Sequence, residues 1–168
     1  THDGAGWSVA SAGDVNGDGF DDVIVGAPQL GNELGYGVSR GESYVIYGRA
    51  SWTGTSSVDV TTLDGSDGFS LIGIKVGDAT GVSVSSAGDV DGDGFGDLLI
   101  GAPGHLGQGQ SYVVFGGNFT GAVTLVGTDG DDALAGTAVA ESFVGGLGND
   151  TMSSGGGSDR FQGRGGKE

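Results

Sequence analysis

Residues 14–22 read DVNGDGFDD, and residues 89–97 read DVDGDGFGD. Positions one, three, five and nine carry oxygen donors: Asp14, Asn16, Asp18 and Asp22 in the first stretch, Asp89, Asp91, Asp93 and Asp97 in the second. A hard cation such as Ca²⁺ takes about six to eight oxygen ligands at roughly 2.3–2.6 Å, and side chains so spaced on a tight loop converge on one point. Gly17, Gly19, Gly92 and Gly94 permit the turns that this convergence requires. Position seven, Phe20 or Phe95, offers a backbone carbonyl while its ring turns to the core. An EF-hand would place a bidentate Glu at position twelve, between two helices. Val25 and Ile100 stand there instead, inside apolar runs, so each stretch reads as a nine-residue calcium loop that feeds a strand.

The two loops belong to a longer repeat. Residues 6–28 align without a gap on residues 81–103, with 16 of 23 positions identical, and each copy ends in Gly-Ala-Pro. A loop of 14 residues (29–42) or seven (104–110) then leads to a matching strand, SYVIYG at 43–48 and SYVVFG at 111–116. The unit is therefore strand, calcium loop, strand, variable loop, strand. Residues 57–61 and 122–126, short β-branched runs before glycine turns, are expected to supply a fourth strand. Forty glycines, two prolines and 36% hydrophobic residues in 168 point the same way, to an all-β chain of many short strands.

SVA or SVS, then the acidic loop, an apolar triplet, Gly-Ala-Pro and a later Tyr-Val-[Ile/Val]-[Tyr/Phe]-Gly together resemble the FG-GAP repeat of integrin α-subunit β-propellers and their bacterial relatives. The resemblance covers roughly residues 1–126 and implies two four-stranded blades, about 1–61 and 62–126, with calcium clamping the loop between neighbouring strands. Trp7 or Val82 stands where the family often has Phe-Gly, and Gly96 replaces a second acid. Closed propellers have about four to eight blades. Two blades make an incomplete propeller, completed either by further blades of a longer chain or by other copies of this one.

From Gly127 the period becomes nine: GTDGDDALA, GTAVAESFV, GGLGNDTMS, SGGGSDRFQ and a truncated GRGGKE. Position six is acidic throughout (Asp132, Glu141, Asp150, Asp159, Glu168), and position eight is apolar (Leu134, Phe143, Met152, Phe161). Residues 127–168 thus resemble the nonapeptide of RTX proteins, which implies a short parallel β-roll whose glycine turns hold calcium. Asp132, Asp150 and Asp159 are its expected metal residues. The segment 136–144 keeps Gly136 but has lost the family's glycines at its second and fourth positions, and is expected to bind weakly or not at all.

The net charge of −16, from 22 acids against six bases, repels nucleic acid phosphates and anionic membranes. Seven of those acids stand at ligand positions of the two loops, where a bound cation relieves their repulsion. Without cysteine there is neither a disulfide nor a thiolate site. The chain has no apolar run long enough for a transmembrane helix and no signal peptide; beginning inside one repeat and ending inside another, it is expected to be a piece of something longer. His2 and His105 lie among glycines and read as loop residues. No nucleophile elbow or phosphate loop is present, so no catalytic residues are assigned and the chain reads as a non-enzyme. Trp7, Trp52 and Phe69 read as blade packing, and Tyr36, in the longest loop, as a contact residue.

The reading is a calcium-binding, extracellular (secreted or cell-surface) structural or adhesive repeat module, with no nucleic acid partner and no membrane insertion. Two alternatives stand beside it: a propeller module that binds a protein or glycan ligand through loops such as 29–42, and a non-catalytic accessory part of a large secreted enzyme.

Overall fold

The computed structural model describes residues 4–28, 39–54, 57–104, 107–121, 123–128 and 130–163. The first sheet is antiparallel, in the order β1 (Ser8–Gly13), β2 (Asp22–Ala27), β3 (Glu42–Ile46), β4 (Gly68–Ile72). The second repeats three of these strands, β5 (Ser83–Gly88), β6 (Asp97–Ala102) and β7 (Gln110–Val114), again antiparallel. Each acidic loop joins the first two strands of its sheet. The register shifts by one residue just before it, at Gly13 and Gly88, both at positive φ (73° and 79°). This is a bulge that a glycine accommodates without strain, and it turns the chain out of the ladder into the loop.

Period-two alternation decides which side of each strand is buried. Ala10, Ile24, Val45 and Phe69 lie opposite one another across the first sheet, and Val84, Ile100, Leu98 and Val114 pair across the second. These two sets meet in one core with Ala12, Val15 and Tyr47.

Two expectations about the fourth strand are corrected. In the first sheet it is Gly68–Ile72, not residues 57–61. There the Asp59 side chain accepts the Thr61 N–H at 2.9 Å and caps a short 3₁₀ turn, Val60–Thr62, that buries nothing. Phe69 and Leu71, by contrast, alternate onto the core face. In the second repeat, Leu125 and Val126 do not join β7. They form β8 and pair in parallel with Phe143 and Val144, 18 residues on, so they continue the nine-residue register.

That register builds two small parallel sheets. β8 (Leu125–Val126), β10 (Ser142–Val144) and β12 (Arg160–Gln162) make one, and β9 (Ala133–Ala135) and β11 (Thr151–Ser153) the other. Successive strands alternate between sheets, so position-eight residues stack on partners two repeats away: Leu134 on Met152, and Phe143 on Phe161 with ring centroids 4.7 Å apart. Phe143 is fully buried.

The parallel sheets lie against both acidic loops. Phe95, Val123 and Val144 form a second buried cluster. Gln162 Nε2 donates to Gly94 O at 3.0 Å, Ser142 Oγ to Gly17 O at 3.4 Å, and Arg160 to Asp18 O. Among the described residues no helix is long and apolar enough to cross a membrane.

Because Leu98 is fully buried where the two sheets meet, Leu98→Ala is expected to destabilise the protein by about 2–5 kcal/mol in urea unfolding.

Candidate metal centres

The ninth residue of each loop is the most deeply held. Asp22 is 1% exposed; one of its oxygens accepts Val15 N–H at 2.8 Å, and the other accepts Gly48 N–H at 2.7 Å. Asp97 is fully buried and does the same with Val90 N–H at 2.6 Å and Gly116 N–H at 2.9 Å. One carboxylate therefore ties its own loop to the end of the third strand. Gly48 and Gly116, which close the Tyr-Val-x-aromatic-Gly strands, are part of this arrangement. A Cβ at either would lie 2.5 Å from a loop carbonyl, that of Asp21 or Gly96. Nothing local marks these glycines as loop partners; only their matching place in both repeats points to them.

The remaining loop donors turn inward on short backbone bonds. Asp14 accepts Gly19 N–H at 2.8 Å and Asp89 accepts Gly94 N–H at 3.0 Å, each spanning five residues. Asn16 accepts Asp18 N–H, Asp18 accepts Phe20 N–H, Asp91 accepts Asp93 N–H and Asp93 accepts Phe95 N–H. The result in the second loop is a cluster in which one oxygen each from Asp89, Asp91 and Asp97 lie within 4.8 Å of one another, an arrangement that can hold a metal ion. Asp93 is not part of that trio. In the first loop Asn16 replaces the middle acid, and Asp14 Oδ1 is buried without a hydrogen-bond partner. An all-oxygen donor set with a buried, unpaired carboxylate oxygen fits a hard cation.

Burial pushes the Asp14 carboxyl up, opposed by the Gly19 N–H and reinforced by the Asp18 charge. It also pushes up Asp93, to which the charges of Asp91, Asp89 and Asp97 add. Asp22 is raised to about 7, again chiefly by burial, which outweighs the bonds from Gly48 and Val15. Tyr47 rises to about 12, through burial first and then the charges of Asp22 and Asp18.

The phenylalanines at position seven part company. The Phe95 ring is buried beside Val123 and Val144, as expected. The Phe20 ring is only half-buried and lies under the Arg160 guanidinium, 4.5 Å from its centroid, rather than in the core.

In the nonapeptide region Asp132 accepts the N–H and hydroxyl of Thr128, and its own N–H donates to Asp150 at 3.1 Å. Glu141 N–H donates likewise to Asp159 at 3.0 Å. The acids thus pair across two repeats, Asp132 with Asp150 and Glu141 with Asp159. Asp150 Oδ2 and Glu141 Oε2 are buried without partners. Glu141, in the segment set aside for its missing glycines, is placed like Asp150; its nine-residue register was the signal.

Of the aromatic residues, Phe69 packs on Tyr47 and Phe119 (centroids 6.0 and 5.7 Å), whereas Trp7 is exposed instead of packed and Trp52 lies half-exposed under Arg49. Tyr36, His2, His105 and most of the loop 29–42 lie outside the described residues.

Antiparallel sheets stacked face to face, each with an acidic loop between its first two strands, define a blade-type repeat. The FG-GAP repeat model matches residues 5–46 and 80–126, just over half the chain, and the chain belongs to the FG-GAP repeat family. It is similar to integrin alpha pat-2 of Caenorhabditis briggsae, 39% identical over 97 residues, covering 58% of this chain and 7% of that protein. Integrin alpha-PS2 of Drosophila melanogaster is 35% identical over 117 residues (66% of this chain, 8% of the relative), and integrin alpha-V of Gallus gallus 35% over 97 residues (58% and 8%). The chain spans less than a tenth of the length of these relatives.

Two outcomes are expected. Asp97→Ala removes the acceptor of two backbone bonds and should cost about 3 kcal/mol even in chelator. The exposed Asp91→Ala should leave the chelated protein within about 0.5 kcal/mol of the parent, as read by thermal unfolding in chelator. The second concerns pH. Asp22 titrates near 7 in the folded, metal-free chain but near 4 when unfolded, so between those values the folded state holds a proton that the unfolded state has lost. Melting temperature in chelator should therefore fall as pH rises from about 5 to about 7.5. Excess calcium should abolish that fall.

Proposed function

We propose that the chain is a calcium-stabilised, extracellular structural or adhesive module: two blades of an FG-GAP propeller followed by a short RTX-like β-roll. Calcium acts as a folding staple and the role is non-catalytic. The carrying observation is the oxygen cluster of Asp89, Asp91 and Asp97, within 4.8 Å, on a loop that joins two strands of a blade. In the first loop Asp14, Asn16, Asp18 and Asp22, with the Phe20 carbonyl, would hold the ion; in the second, Asp93 and the Phe95 carbonyl would complete the set. Clustered carboxylates repel one another until a cation joins them, so metal binding and folding are linked.

For the tail, the 18-residue parallel pairing and the acids Asp132, Asp150 and Asp159 support the β-roll reading. The buried, unpaired oxygens of Asp150 and Glu141 are the atoms a cation would take there.

A second reading, a propeller module that binds a protein or glycan ligand at the cell surface, is favoured by the 35–39% identity to integrin alpha chains. In either case further blades, from a longer chain or from other copies, would complete the propeller.

Thermal melting with calcium against chelator tests the staple. An ion at about 100 times its dissociation constant stabilises the folded state by about 2.7 kcal/mol per site. For a chain of this size that is about 5–10 °C in melting temperature. Unchanged melting and circular dichroism in excess chelator would overturn the staple.

A further inference from the structure

The tail strand β12 reaches both acidic loops and meets them with different side chains. Residues two apart on a strand face the same way, and Arg160 and Gln162 both turn to the loops. Gln162 is neutral, and its Nε2 donates to Gly94 O of the second loop at 3.0 Å. Arg160 is charged; its guanidinium donates to Asp18 O of the first loop and lies 4.5 Å from the Phe20 ring centroid. Its stem passes Gly19 so closely that a Cβ there would lie 2.2 Å from Arg160 Cδ. Arg160, Gly19 and Asp14 line one cavity of about 330 Å³. Asp14 also carries the buried, unpaired Oδ1, and Asp18 is another of the loop's oxygen donors. A full positive charge therefore stands beside the donor set of the first loop. The exposed Asp21 shares the cavity and offsets part of that charge.

We propose that Arg160 is a built-in counter-charge of the first loop: it stabilises the loop when no cation is bound and lowers the loop's affinity for calcium. The proposal rests on the calcium reading of the loop donors. Both effects have one cause. Without an ion, Asp14, Asp18 and Asp22 repel one another, and a guanidinium at the loop relieves part of that repulsion. With Ca²⁺ among them, the same guanidinium faces a doubly charged ion of its own sign, and this repulsion subtracts from binding. Arg160 takes the Asp18 backbone carbonyl, which is not one of the expected ligand atoms, so it acts on the ion by charge and not by occupying a ligand. At the second loop β12 brings only the Gln162 amide, and that loop keeps Asp91 where the first has Asn16. Ligand charge count tunes calcium affinity in oxygen-donor loops, and an adjacent cation acts like a carboxylate removed. Because Arg160 is exposed, water and salt weaken its field, and the effect is modest.

Terbium emission sensitised by Tyr47 reads the first loop in the full chain. Tyr47 lines a cavity with Asn16 and Asp18, its counterpart in the second repeat is Phe115, and residues 127–168 contain neither Tyr nor Trp. The first-loop signal is the part that Tyr47→Phe removes. Direct terbium titration followed by displacement with calcium, at low salt, gives the loop's calcium affinity. Arg160→Gln is expected to bind calcium about 3–10-fold more tightly than the parent. In chelator the same variant should melt about 1–3 °C lower. Arg160→Lys keeps the charge and should stay within about twofold of the parent in affinity. Raising salt to about 0.5 M should narrow the gap between Arg160→Gln and the parent. A residue that merely held the loop in shape would give a different pattern, because its loss would destabilise the empty loop and weaken calcium binding together. An Arg160→Gln variant that binds calcium as the parent does, or more weakly, overturns the proposal while leaving the calcium reading in place. So does equal tightening in Arg160→Lys, which would make the shape of the guanidinium responsible instead of its charge. A parent with no Tyr47-dependent signal and no response to calcium overturns the calcium reading of this loop and the proposal with it.

Discussion

A buried carboxylate holds each blade together. Asp22 and Asp97 sit at the end of their loops, out of solvent, and each takes one N–H from the loop's start and one from the glycine that ends the third strand. A charge-assisted bond of this kind is stronger than a neutral one, and a buried carboxylate without donors is costly. Loop, first hairpin and third strand are therefore coupled through one side chain. The loop's other acids are pinned by their own backbone, which gathers negative charge where the fold can least disperse it. Burial raises Asp14, Asp22 and Asp93, the neighbouring carboxylate charges add to it, and a cation is the natural counterweight.

Around these loops the molecule uses two different ways of pairing strands. The blades are antiparallel and share one apolar core formed where the sheets meet. The tail is parallel, with strands drawn alternately from successive nine-residue segments. The two meet at the acidic loops, where Val144 and Val123 close over Phe95 and Arg160 reaches Asp18 and Phe20. Both proposed calcium systems thus share a boundary, and the tail is packed against the blades.

Much of this was legible beforehand because it is periodic. The 75-residue offset between the loops, the alternation in SYVIYG and SYVVFG, and the acid at every ninth position of the tail all arise from local geometry that repeats. The fourth strands were not legible. Residues 57–61 look like a strand, yet Asp59 caps a turn there and the better-alternating 68–72 takes the place. Leu125 and Val126 have the composition of a fourth blade strand but fall in step with Phe143 and Val144. In the first case two segments compete for one sheet edge, and in the second two partners compete for one short segment, so composition alone does not choose between them.

By itself, then, the amino-acid order determined the repeat, the oxygen donors and the nine-residue register, because each is a matter of spacing within one turn or strand. Tertiary structure decided three things. Gly48 and Gly116 became partners of the loop aspartates, Phe20 was left under Arg160 while Phe95 was buried, and Val9, Val23, Leu99 and Val113 were left uncovered. Each of these depends on which surfaces are brought together, and an apolar residue in a strand reads the same whether its face is covered or open.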